Sequence, residues 1–141
     1  MKVRLLLAHS AEVQNSLLYA LGAGWTAIGP APSPFAIAAI VEVAWDETSQ
    51  KHRLEIVFED ADGQPVLAST LAGEEPFRIP AEFEVGRPPG AVQGTSFIMP
   101  IALNIPPIQL PAGRQCVVKA LINGNVLDEL SFVVRPAPPS R

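Results

Sequence analysis

The sequence predicts an all-β protein, a single-domain antiparallel β-sandwich of eight or nine strands with Greek-key connections. Apolar and polar residues alternate with a period of two, and no long segment has helical periodicity. Asp-Gly and Asn-Gly turns separate the extended runs, and fifteen prolines and ten glycines leave little room for helices. The 141 residues suit one domain. We expect that domain over residues 1–135, followed by a flexible proline-rich tail at 136–141.

The strands follow from the alternation and from the turns between the runs. In RLEIVFE, for example, Leu54, Ile56 and Phe58 alternate with charged residues, as in a strand with one face on a core. We expect strands at about 2–8, 17–28, 36–44, 52–59, 65–71, 77–85, 95–105, 114–122 and 126–134. Segment 9–16, HSAEVQNS, could hold one helical turn. Pro80 and Pro100 fall inside strands, which should therefore be edges or carry bulges, because proline has no N–H to donate.

The stretch ALGAGWTAIGPAPSP, residues 20–34, fits the dinucleotide-binding spacing G-x-G-x-x-G/A through Gly22, Gly24 and Ala27. That motif binds phosphate because a helix begins directly after the glycine turn. Here three prolines at alternate positions follow, which forbids a helix. We interpret the stretch as part of one long strand, in which the glycines allow a bend or a close approach of another backbone. No nucleotide or other cofactor is expected.

No residue pattern predicts a catalytic or metal site. His9 and His52 are the only histidines, and they lack the closely spaced ligands of a zinc site. DADG resembles the start of a calcium loop, but Leu71 stands where the loop needs a glutamate. Cys116 is the only cysteine and reads as a small buried hydrophobe. We therefore expect no catalytic residues and no metal ligands.

Charge and hydropathy exclude two classes of partner. The net charge is −4, and the ten Lys and Arg residues are scattered, which disfavours nucleic acid. No stretch approaches the roughly 18 apolar residues of a membrane span. The run LLLA after Lys2 and Arg4 is too short for a secretory signal. We expect a cytoplasmic protein with neither nucleic acid nor membrane as a partner.

Two segments, PFAIAAIVEVAW and SFIMPIALNIPPIQL, are apolar on both faces of the predicted strand. A contiguous exposed apolar surface usually marks an interface. The candidate interface residues on the outer faces are Ala38, Ile40, Ile98, Pro100 and Ala102. Alternatively, both segments are buried on both faces within the monomer, beneath a loop such as 86–94.

The chain resembles a family of small bacterial proteins, common in actinobacteria, that is defined only as a domain of unknown function. The segments that carry the resemblance are LLLAHSAEV, LYALGAGWTAIGP, PFAIAAIVEVAW, FEVGRPPG and LPAGRQCVVKALINGNVLDELSFVVRP, with GAGW and VGRPPG the most specific. The resemblance implies a compact β-sandwich with immunoglobulin-like last strands. It implies no activity, cofactor or catalytic residue.

Three functions from different classes remain. The first is a non-catalytic interaction or assembly module that binds a protein partner or itself, with a symmetric homodimer as the commonest oligomer. The second is a small-molecule or glycan-binding sandwich that stacks its ligand on Tyr19, Trp25 or Trp45. The third is an enzyme whose residues converge only in three dimensions.

Overall fold

A computed structural model describes residues 1–71 and 73–139, without the side chains of Ser69 and Thr70. This part of the chain contains twelve strands and one 3₁₀ turn, Trp45–Glu47. The strands are β1 (Lys2–Ala8), β2 (Ser10–Gln14), β3 (Leu17–Leu21), β4 (Ala27–Ile28), β5 (Phe35–Val43), β6 (Lys51–Asp60), β7 (Leu67–Thr70), β8 (Gly73–Pro76), β9 (Arg78–Glu84), β10 (Phe97–Ile105), β11 (Gln115–Ile122) and β12 (Asn125–Val134).

Two sheets bury one common core, which confirms the predicted all-β class. A three-stranded sheet has the order β1-β5-β10, and a five-stranded sheet has the order β4-β12-β11-β6-β9. All pairings are antiparallel except that of β12 with the short β4. Alternate side chains of both sheets point inward and are fully buried, among them Ile37 and Val41 from one sheet and Ile56, Val118 and Phe132 from the other.

A β-hairpin of β2 and β3 forms a third layer on the outer face of the three-stranded sheet. Its inner residues, Ala11, Leu18 and Ala20, form a small cluster with Ala8, Ala36 and Ala38 of the sheet. The helical turn expected within 9–16 is wrong, because residues 10–14 form β2. Asn15 and Ser16 both have positive φ, 51° and 61°, and make the two-residue turn of the hairpin without a glycine.

The single strand expected at 17–28 is also wrong. β3 ends at Leu21, and Gly22 has a φ of +63° in a turn where a Cβ would overlap the imidazole of His9. Gly24 has a φ of +91°, and its N–H donates to the carbonyl of Leu7 at 2.8 Å. No helix follows the glycines. At Gly22 the close approach is that of the His9 side chain and not of another backbone, as the sequence had predicted. The break in the strand, together with β2 and β8, raises the number of strands in the described residues to twelve.

The predicted turns and edge strands are confirmed. Residues 60–64 form a turn in which the backbone carbonyl of Asp60 accepts the Gly63 N–H. Asn123 and Gly124 join β11 to β12. Pro80 lies in β9 and Pro100 lies in β10, and both strands are sheet edges. A proline at the outer side of an edge strand removes no ladder hydrogen bond.

Asn104 on β10 holds the β2–β3 hairpin to the sheet. Its Nδ2 donates to the carbonyl of Ala11 at 3.0 Å, and its Oδ1 accepts the Ala11 N–H at 3.4 Å. The side-chain amide thus takes the place of a neighbouring strand on the free side of β2. Because the alanine cluster contributes little apolar area, these two hydrogen bonds should matter for the position of the hairpin.

Cys116 is fully buried on β11, and burial raises the pKa of its thiol above the usual range. The thiol therefore lacks the exposed, electropositive setting of a reactive cysteine.

Within the predicted tail, residues 136–139 are exposed and without regular structure, whereas positions 140 and 141 lie outside the described residues.

Replacing Asn104 should loosen the hairpin selectively. We expect Asn104→Ala to cost about 1 kcal/mol and to lower Tm by about 3 °C, because both hydrogen bonds to Ala11 are lost. Hydrogen exchange measured by mass spectrometry should accelerate in residues 10–21 and not in β11. Asn125→Ala, at an exposed position on β12, is the control. Unchanged exchange in residues 10–21 would contradict the role of Asn104.

Candidate functional site

The outer face of the three-stranded sheet is built from the even-numbered residues of β1, β5 and β10, since side chains alternate along a strand. The register arranges them in four cross-strand rows, Lys2–Glu42–Ile98, Arg4–Ile40–Pro100, Leu6–Ala38–Ala102 and Ala8–Ala36–Asn104. The hairpin packs on the last two rows. We call the first two, which it leaves uncovered, the open rows.

The structure divides the five candidate interface residues between these two regions. Ile98 lies in an open row and is 57% exposed, and Ile40 and Pro100 are half-buried beside it. Ala38 is fully buried and Ala102 is partly covered, because the hairpin packs on them. Ala38 is therefore not available as an interface residue. Burial within the monomer, the alternative from the sequence, applies to this half of the face, but the cover is the hairpin and not loop 86–94.

The hairpin also presents an apolar row that the sequence analysis did not single out. Leu17, Tyr19 and Leu21 alternate along β3 and point away from the sheet, with exposed fractions of 59%, 51% and 71%. The signal was present in the alternation of LLYAL, where Leu18 and Ala20 face inward. It was missed because the segment was interpreted as part of one long strand. We call these three residues the hairpin row.

Trp25 does not lie at a ligand site. Its ring packs edge-on against Phe35 and Phe132, with ring centroids 5.7 Å away in each case. It is half-buried against the main core, and its indole Nε1 is enclosed without a hydrogen-bond partner in the described part of the chain. These contacts give Trp25 a packing role at the Phe35 end of β5.

Trp45 lies beyond the opposite end of β5, a strand whose two ends are about 27 Å apart. Its ring stacks on Phe97 at 6.1 Å, and the guanidinium of Arg87 lies 3.9 Å from its centroid. Arg87 is itself fixed by hydrogen bonds of 2.7 Å to the Trp45 carbonyl and to the Thr48 hydroxyl. The three aromatic residues proposed to stack a ligand are thus not brought together, and of the three only Tyr19 is as much as half exposed.

A polar network fixes the 3₁₀ turn that carries Trp45. Glu47 binds the amino group of Met1 at 3.0 Å and accepts the Ala44 N–H at 3.0 Å. The hydrogen bond from that amino group is the main reason that the pKa of Glu47 is below its usual range. Burial raises the pKa in part, and the Ala44 N–H lowers it further.

The buried His52 belongs to the same network. Its Nε2 lies 2.8 Å from the Glu47 carbonyl, and its Nδ1 lies 3.1 Å from the Asn123 side-chain nitrogen. Since the amide nitrogen donates, Nδ1 accepts and the Nε2 proton is donated to the carbonyl. Both ring nitrogens are engaged in structural hydrogen bonds. The other histidine, His9, is exposed beside Gly22.

Within residues 1–71 and 73–139, no three His, Cys, Asp or Glu side chains are grouped so that they could hold a metal ion. The same part of the chain has no helix long and apolar enough to span a membrane. The features that remain as candidate sites are the open rows, the hairpin row and the cavities beside them.

The comparison with protein families identifies the chain as a member of one. Residues 4–135 match the model of a family described as "Family of unknown function (DUF6941)", and the chain belongs to that family. This confirms the resemblance to a family of unknown function that the sequence motifs indicated. Neither a curated protein nor a solved structure matches the chain.

The Glu47 network predicts a pH-dependent contribution to stability. We expect Glu47→Gln to lower Tm by about 3 °C at pH 7, because the charge-assisted hydrogen bond to the Met1 amino group is lost. A carboxylate with a lowered pKa stabilises the fold above the pKa that it has in the unfolded chain. The difference between wild type and variant should therefore shrink below about pH 4.

Thermal unfolding followed by circular dichroism from pH 3 to pH 7 measures this difference. Asp46→Asn, one residue away at an exposed position, is the control and should change Tm little. A difference for Glu47→Gln that stays constant or grows toward acid pH would contradict the assignment.

Proposed function

We propose that the protein is a non-catalytic interaction module that self-associates through the outer side of its three-stranded sheet. The observation that carries the proposal is the exposure of four large apolar side chains on this side. The hairpin row, Leu17, Tyr19 and Leu21, and Ile98 of the open rows are each more than half exposed. Such patches mark interfaces more often than free surfaces.

The composition of the surface supports a protein partner. Tyr and aliphatic residues are typical of the centre of an interface, and charged residues are typical of its rim. Here Lys2, Arg4 and Glu42 surround Ile40 and Ile98. The hydrogen bonds of Asn104 also hold the hairpin row in place, so that association needs little ordering of the chain.

We include in the proposal an immunoglobulin-like topology. In that fold one sheet contains strands A, B and E, and the other contains C, F and G. The three-strand orders β1-β5-β10 and β6-β11-β12 correspond to A-B-E and C-F-G, with the hairpin inserted after β1. Domains of this architecture commonly act through surfaces, although such an analogy supports the class of function and not a partner.

We also propose a cytoplasmic location, which agrees with a single unpaired cysteine.

A glycan or another small polar ligand is the alternative. A cavity of about 510 Å³ lies beside Tyr19 and is also lined by Ser10, Glu12 and Asn104. A half-exposed aromatic ring next to a carboxylate and an amide is a typical sugar-binding arrangement. Binding of a sugar that depends on Tyr19 would favour this function over self-association.

Light scattering coupled to size-exclusion chromatography tests self-association. Wild type at tens of micromolar should elute with twice the 15.0 kDa mass of one chain, as a symmetric dimer. Leu21→Lys and Ile98→Lys should each shift the mass to that of one chain, because each buries a charge in the interface.

Val92→Lys is the control, since Val92 is exposed in the loop 86–94 and belongs neither to the open rows nor to the hairpin row. Circular dichroism should report an unchanged fold for all three variants. A wild type that remains monomeric, or variants that dimerise like wild type, would overturn the proposal.

A further inference from the structure

Three of the four edge strands of the two larger sheets are poorly suited to accept another strand. β10 and β9 contain Pro100 and Pro80, and β4 has only two residues. Prolines and very short strands are the devices by which proteins close sheet edges. β1, the fourth edge, is seven residues long and contains no proline.

The backbone of β1 is only partly occupied on its outer edge. The Leu5 N–H donates to Oδ2 of Asp128 at 2.7 Å, and the Leu7 carbonyl accepts the Gly24 N–H at 2.8 Å. Alternate residues of a strand direct their backbone hydrogen-bonding groups to the same side. The N–H and the carbonyl of Val3 therefore also point away from β5, like those of Leu5 and Leu7. In the described part of the chain, the Val3 N–H, the Val3 carbonyl and the Leu5 carbonyl have no hydrogen-bond partner.

A cavity of about 700 Å³ follows this free edge, and we call it the β1 groove. Aliphatic side chains line it from the sheet, the hairpin and β12, namely Leu6, Ile40, Leu18 and Leu127. The groove therefore combines unpaired backbone groups with apolar walls. These are the two elements that strand addition uses, with the backbone supplying affinity and the walls supplying specificity.

The charges at the groove select the added strand. Arg4 is exposed, and no carboxylate in the described residues lies within ion-pair distance of it. Lys2 is exposed as well, and its Nζ lies 3.8 Å from Oε2 of Glu42. Antiparallel pairing of β1 with the β1 of a second copy through Val3 would set Lys2 opposite Arg4, and like charges in directly opposed positions are destabilising. An acidic side chain opposite Arg4 would be stabilised.

We propose that the β1 groove binds an extended segment of a partner protein, which adds to β1 as a further strand and places an acidic side chain opposite Arg4. Arg4 and Ile40 belong both to the open rows and to the groove, but the interaction itself uses the edge of β1 and needs neither Ile98 nor the hairpin row. Aliphatic side chains of the bound segment contact Leu18 and Leu127.

Asp128 opposes this addition. Its Oδ2 accepts the Leu5 N–H that an incoming strand would use, and its Oδ1 accepts the Glu129 N–H at 2.9 Å. The incoming strand must displace the first of these hydrogen bonds. Asp128 thus acts as an autoinhibitory contact, in the way that inward-pointing charges protect sheet edges.

Two acetylated hexapeptides test the proposal by nuclear magnetic resonance with ¹⁵N-labelled protein. One alternates glutamate with valine, and the matched peptide alternates lysine with valine. The acidic peptide should shift the amide resonances of Val3 and Leu5 and protect the Val3 N–H from hydrogen exchange. The basic peptide should bind about tenfold more weakly.

Variants separate the contributions of charge and backbone. Arg4→Glu should reverse the preference for the acidic peptide, whereas Lys51→Glu, at an exposed cation of β6, should not. Asp128→Ala should tighten binding of the acidic peptide, because the Leu5 N–H is free. Leu21→Lys, outside the groove, should leave the preference for the acidic peptide unchanged, which distinguishes this site from the hairpin row.

Shifts confined to residues outside the β1 groove would overturn the proposal. Equal binding of the two peptides, or an unchanged preference in Arg4→Glu, would overturn it as well. If Asp128→Ala does not fold, Asp128→Asn keeps an acceptor for the Leu5 N–H and removes the charge. It should still bind the acidic peptide more tightly than wild type, and weaker binding would contradict the autoinhibitory role.

Discussion

The close packing of alanines between the hairpin and the three-stranded sheet is the contact on which the rest of the surface depends. Ala36 and Ala38 of the sheet are fully buried against the hairpin, and Ala11 and Ala20 are the hairpin residues that face them. Side chains this small leave room for the hairpin to approach the sheet closely, and the Ala11 backbone lies within hydrogen-bond distance of the Asn104 side chain. An isolated hairpin is marginally stable in water, so this support also makes the hairpin possible.

That contact determines which parts of the molecule can meet a partner. It covers two of the four cross-strand rows and leaves Ile40 and Ile98 uncovered. It also lifts the hairpin row away from the sheet and places Leu18 at the wall of the β1 groove. The two proposed surfaces then differ in physical character. Association through the hairpin row is apolar and should depend weakly on salt, whereas strand addition beside Arg4 should weaken as salt rises.

Most of the sandwich could be predicted from the sequence, because a strand with one polar face carries a clear period of two. RLEIVFE and the Asn-Gly turn of residues 123–124 specified β6 and the β11–β12 hairpin nearly to the residue. The edge positions of Pro80 and Pro100 followed from the missing N–H of proline. These signals are local, and no later packing contact overrides them.

The third layer could not be predicted in the same way. The hairpin turn uses Asn15 and Ser16, two non-glycine residues with positive φ, so the sequence has no Asn-Gly or Asp-Gly signal there. The alternating alanines of β5 were consistent with an exposed patch or with burial, since alanine is common in both settings. Which of the two occurs depends on a contact between distant segments. The same holds for the Asp128 bond to Leu5, which joins residues 123 positions apart in the chain.

A double-mutant cycle on Ala38 and Leu18, measured by urea denaturation, tests the alanine contact most directly. Ala38→Leu should destabilise the protein by about 1–3 kcal/mol, because the larger side chain overfills the space beneath the hairpin. Leu18→Ala should remove volume on the opposite side. The double variant should therefore be destabilised by about 1 kcal/mol less than the sum of the two single destabilisations. Additive effects, or a neutral Ala38→Leu, would contradict a hairpin packed on Ala38.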